Sequence, residues 1–241
     1  MRSKKIIIKT FVAVALISIA ITTAASATIL GTTNIQNHNN SLSDQGDLWG
    51  GGLNGGTYRT GIYSWTNEIS GSTGLGTQVP DWGFCIELTQ GANNGNVNVI
   101  PLEEGPLPVT AVTPMGTTKA NYIRELWGRD FDQNWITNPT TANKQMAEAF
   151  GACLWEIIYE TNGSPATWNV SNGAGFHATG IEQAATANSW LSQLDGNTAY
   201  FANNLYVTST LNGQDYLVQI PEPATICLLG LGALSLIRRR K

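Results

Sequence analysis

The sequence predicts an α+β fold: one mixed domain of antiparallel strands with two or three helices, flanked by an N-terminal signal peptide and a C-terminal single transmembrane helix. Three observations lead there. Aromatic and aliphatic residues alternate at period two in several short stretches, as half-buried strands require. A helical stripe at i, i+4, i+7, i+8 and i+11 occupies the middle of the chain. Each end carries an uncharged apolar run set against clustered cations.

The elements follow in chain order. Arg2, Lys4, Lys5 and Lys9 precede an apolar stretch from Thr10 to Ala24. Ala25 and Ala27 then supply small residues at the two positions a signal peptidase reads, which marks 1–27 as a signal peptide. Residues 28–56 are polar and rich in Gly and Asn, so much of that stretch is expected as loop. Its Gly50-Gly51-Gly52 is not a phosphate loop, because no Gly-Lys-Ser/Thr follows. An Asn54-Gly55 turn leads into a strand over 57–66. Trp82, Phe84, Ile86 and Leu88 alternate within 78–89, the clearest strand of the chain, and 97–100 forms a shorter one. Four prolines between 101 and 114 interrupt regular structure. Helices are expected over 118–127 and 143–160. The second presents Met146, Phe150, Cys153, Leu154 and Ile157 on one face, with Glu156 and Glu160 on a solvated one. A third helix over 181–194 and strands at 199–208 and 214–220 complete the extracytoplasmic domain, 28–220.

Charge narrows the function. Between Thr28 and Ile220 there are five basic residues against sixteen acidic ones. A nucleic-acid partner is excluded, because phosphate binding needs clustered Lys and Arg. No catalytic residue, cofactor or metal is expected. His38 and His177 are the only histidines, too few for most triad or metal schemes, and both are expected as ordinary surface residues. Asp130, Asp132 and Asn134 imitate the start of a calcium loop, but Trp135 and Thr141 stand where Gly and Glu are needed. Glu103 and Glu104 are adjacent and so cannot face each other across a substrate. Trp65, Trp82, Trp127, Trp155 and Trp190 fall in periodic apolar segments and are expected in the core.

The C-terminal segment, 221–241, begins Pro221-Glu222-Pro223, continues without charge over 224–237 and ends Arg238-Arg239-Arg240-Lys241. Fourteen residues give roughly 21 Å of helix against a hydrocarbon core of about 30 Å. The four cations cannot be buried in a core, but they can snorkel to headgroups and hold that end in the cytoplasm. The prolines break any continuous helix into the domain, leaving an accessible junction. This arrangement resembles the PEP-CTERM sorting signal of bacterial exported proteins, also catalogued as "ice-binding protein C-terminal domain". The regular Thr arrays of ice-binding faces are not seen in the chain. The resemblance implies processing by an exosortase, after signal peptidase, from a membrane-anchored precursor to the cell surface, outer envelope or an exopolysaccharide matrix.

A second likeness lies inside the domain. Phe84-Cys85-Ile86, followed by Phe150-Gly151-Ala152-Cys153-Leu154-Trp155, resembles the thioester domains of bacterial surface adhesins, in which a Cys condenses with a Gln on a helix. Here Phe150, Leu154 and Trp155 match, while Gly151 occupies the Gln position and offers no acyl group. Cys85 and Cys153 can form a disulfide after export or remain two buried thiols; connectivity cannot be read from sequence. The expected function is that of a non-enzymatic structural or adhesive surface protein. The alternatives are a covalent thioester-type adhesin using Cys85, or a secreted carbohydrate-binding or carbohydrate-active protein.

Overall fold

A computed structural model describes residues 27–50, 53–107, 114–161 and 164–221. The signal peptide, Glu222, Pro223, the 224–237 span and the basic tail lie outside the described residues. Among those described, no helix is long and apolar enough to cross a membrane.

Among the described residues, eight strands and four helices alternate in blocks: β1 (Gly31–Asn39), β2 (Ser43–Gly50), β3 (Thr57–Gly74), β4 (Trp82–Cys85), β5 (Gly95–Pro101), α1 (Gly116–Asp130), α2 (Asn134–Thr137), α3 (Thr141–Tyr159), β6 (Phe176–Thr179), α4 (Ala184–Ser192), β7 (Leu205–Thr210) and β8 (Gly213–Gln219). All strand pairings are antiparallel, in the order β1-β5-β7-β8-β4-β3, and β3 also pairs with β1. Six strands therefore close into a barrel, which leaves none of them with an open edge. The 18 residues of β3 make this possible. Its C-terminal half pairs with β1, its middle with β4, and its first residues with β2, which in turn carries β6. The mixed α+β expectation is met in this coarser sense, with a closed barrel as its β part.

Several local expectations are corrected. The stretch 28–56, expected largely as loop, contains β1 and β2. In β1, Gly31, Thr33 and Ile35 point inward while Thr32, Asn34 and Gln36 face out, and pairing on both sides outweighs the poor strand propensity of Asn. The strand expected over 78–89 shrinks to β4. Residues 75–78 form a 3-10 turn, and beyond Cys85 the Glu87 carboxylate turns the chain by accepting bonds from Thr89 N (2.7 Å) and Gln90 N (2.8 Å). His177 lies on strand β6. Helix α3 starts where Thr140 caps it, its hydroxyl accepting from Asn143 N at 3.3 Å. It is not half-buried, as its stripe suggested. Every residue from Ala147 to Tyr159 is buried, so α3 is the central helix, wedged between the barrel and α4.

The main core forms where α3 meets the barrel. Phe84 and Phe150 lie 5.1 Å apart between ring centroids, Trp127 stacks on Phe131 at 4.3 Å, and Trp135 closes on Phe150 at 5.3 Å. Trp65, Trp127, Trp155 and Trp190 are buried and Trp82 partly so, as the sequence indicated.

Candidate functional site

Of the two thioester-like positions, Cys85 lies on the barrel and Gly151 on the helix packed against it. Cys85 ends β4 opposite Tyr216, one residue after the Phe84–Ile62 pair. Gly151 on α3 packs against Gly61, the residue next to Ile62. The contact is backbone on backbone. A Cβ at position 151 would meet Gly61 N at 2.9 Å, Gly61 Cα at 3.2 Å and Thr60 Cγ2 at 3.4 Å. Gly61 itself holds a φ of 108°, which side-chain-bearing residues rarely adopt. Glycine at 151 is thus a packing requirement. The space a glutamine carboxamide would use belongs to β3.

The Cys85 thiol is closed off as well. It is buried and donates to Glu87 O at 3.0 Å. Burial pushes its pKa far above the ordinary thiol value, and the neighbouring Glu87 and Asp215 push it further. A thiol held protonated is a poor nucleophile. Around it, Tyr159 Oη donates to Ile86 O (3.0 Å) and accepts from Leu88 N (3.2 Å), tying the end of α3 to the segment after β4. Asp215 accepts from Leu107 N (2.6 Å) and Thr210 N (3.2 Å), and burial raises it to about 7. These groups hold the backbone in place. Cys153 is separate: its Sγ faces Ala187 O of α4 at 3.4 Å. Both cysteines are free and buried, with no bridge between them. Cys227 lies outside the described residues.

Three further carboxylates are buried on α3. Glu156 and Glu160, expected on a solvated face, are corrected by the fold of 164–175, which covers the last turns of the helix. Glu156 accepts from Asn169 N at 2.9 Å, and Glu160 accepts from Gly175 N and Thr161 N, each at 2.9 Å. Gly173 lets that segment come close, since a Cβ there would stand 2.7 Å from Glu156 Oε2 and 2.8 Å from Glu160 Oε2. Burial, with Glu160 adding to it, raises Glu156 to about 7. Glu148 is fully buried beneath β2, and neither carboxylate oxygen has a hydrogen-bond partner among the described residues. Burial above all, with the Asp44 and Glu182 carboxylates adding to it, raises its pKa to about 8.

The histidines are less ordinary than expected. His38 is half-buried, its ring 5.5 Å from Tyr216 and its Nδ1 3.1 Å from Asn94 Oδ1. His177 stacks on Trp49 at 5.1 Å with planes 6° apart. Asp132 accepts from Asn134 N in a local turn (2.9 Å), and no group of three or more His, Cys, Asp or Glu converges as a metal site among the described residues. Glu103 pairs with Arg124 at 2.6 Å, and Glu104 accepts from Thr28 N at 2.5 Å.

The domain ends in β8, and Pro221 is exposed directly after it. Residues 219–241 match the model of the PEP-CTERM protein-sorting motif. The chain carries a PEP-CTERM sorting motif. No curated protein and no solved structure matches the chain. The likeness to thioester domains and the ice-binding name gain no support from these comparisons. The PEP-CTERM motif marks an exported, membrane-anchored precursor that an exosortase processes at the envelope.

Proposed function

We propose that the protein is a non-enzymatic structural or adhesive component, cleaved by signal peptidase after Ala27, released from its anchor near Pro221–Pro223, and placed at the cell surface or in exopolysaccharide matrix. The observation that carries this reading is the sorting motif at 219–241, which includes the exposed Pro221. The site chemistry favours a non-catalytic role: the thiol with the adhesin-like signature is buried and protonated, and its partner position is occupied by packed backbone. The start of the domain favours cleavage after Ala27. Hydrolysis there converts the Thr28 amide nitrogen, 2.5 Å from Glu104 Oε2, into an ammonium already seated on a carboxylate.

The test replaces Pro221, Glu222 and Pro223 with alanine and fractionates the cells. The uncut precursor is expected to accumulate in membranes while the surface and matrix signal falls. Unchanged processing and release would defeat the sorting assignment.

A further inference from the structure

We infer that the outer face of β5, β1 and β3 is a binding strip for a neutral, hydroxyl-rich glycan chain. The inference deepens the matrix-associated reading above and rests on it.

Two grooves flank Asn96. One, of about 340 Å³, is lined by Asn93, Asn94, Asn96, Thr210 and Asn212 among others. The second, of about 270 Å³, is lined by Thr32, Asn34, Asn96, Glu68, Ser70 and Ser72 among others. The inward residues between them, Ile35, Val97 and Val99, are in the barrel core, so the lining stands on rigid strands. Thr32 to His38 spans about 20 Å at roughly 3.3 Å per residue, long enough for several sugar rings.

The side chains are ordered before any ligand arrives. Gln36 Nε2 donates to Asn34 Oδ1, and Asn34 Nδ2 donates to Asn96 Oδ1 at 2.9 Å. This chain aligns three amides and leaves Asn96 Nδ2 as a donor at one end and Gln36 Oε1 as an acceptor at the other, each without a partner among the described residues. Thr32 and Thr73 (2.9 Å) continue the row across β3.

The chemistry of the row selects its ligand. Amides and hydroxyls donate and accept alike, as sugar hydroxyls do. The described lining contains no Lys or Arg, so it cannot neutralise phosphate or uronate. Its one carboxylate, Glu68, repels anions and accepts from hydroxyls in pairs. An apolar peptide finds little surface here.

The exported protein, purified from cells, is titrated with neutral oligosaccharides on an array beside uronic-acid oligomers of equal length. Binding to neutral members is expected. Asn34→Ala/Asn96→Ala should weaken it by about ten-fold or more, and Asn96→Asp, which removes the free donor at constant shape, should do the same. Gln193→Ala, at an exposed position just after α4, should leave it unchanged. Failure to bind any neutral member, a preference for uronates, or variant affinities within about two-fold of native would overturn the inference. Thermal melts confirm that each variant is folded. Fractionation of the same variants separates the two readings, because their sorting tail is intact: correct delivery with lost binding concerns the strip, whereas lost delivery concerns the sorting assignment.

Discussion

The native chain is expected to lose stability as pH rises from about 4.5 to 8, and Glu148→Gln should remove much of that loss. The sign follows from the buried carboxyls. Glu148 in the folded chain titrates near about 8, against 4.5 ordinarily, because it is desolvated beneath β2 beside Asp44. Between those values the folded state holds a proton that the unfolded state releases, so each unit of pH costs about 1.4 kcal/mol per such group. Glu156 and Asp215, both raised to about 7, and Asp130, raised to about 6, add to the slope over narrower windows. Across the full window Glu148 alone accounts for several kcal/mol, on the order expected for a carboxylate forced to ionise without a partner. Denaturant melts at pH 5 and pH 8.5 measure the effect. Native protein should be clearly weaker at pH 8.5, with Glu148→Gln the more stable of the two there. Equal slopes in the two proteins would show that Glu148 ionises freely in the fold.

Gly151→Gln, which introduces the residue that thioester domains carry at the resembling position, is expected to destabilise the domain and to form no thioester. Even the Cβ of Gly151→Ala meets Gly61 N at 2.9 Å, and the obstructing atoms are backbone. Alanine should cost about 1–3 kcal/mol, typical of overpacking in a tight core, and glutamine more. For a domain of this size, each kcal/mol lowers Tm by about 2–4 °C. Native protein and both variants should take up no methylamine. Incorporation by Gly151→Gln would mean that β3 yields and the site is latent.

The C-terminal sorting motif was legible in the sequence because targeting signals are linear: charge, apolar length and proline order can be read directly from 221–241. The helices were legible for a related reason, as α1 and α3 show their periodicity over three or more turns. What the sequence hid depends on distant partners. β1 carries one large aliphatic residue inward, Ile35, and becomes a strand only because β3 and β5 flank it. Barrel closure needs β3 to pair with both β4 and β1 along its length, which alternation within β3 cannot reveal. Glu156 and Glu160 looked solvated because a helical stripe says nothing of a loop that returns to cover the other face. Glycine at 151 packs on Gly61, which no local pattern connects to that position.

The intact mass of the protein recovered from envelope or matrix tests the central claim most directly, because one spectrum reports both processing events and the state of the thiols. The account predicts a chain that begins at Thr28, ends within the Pro221–Pro223 junction, and shows neither the loss of about 17 Da that a thioester brings nor the loss of about 2 Da from a disulfide. A species still ending in Lys241 would contradict it.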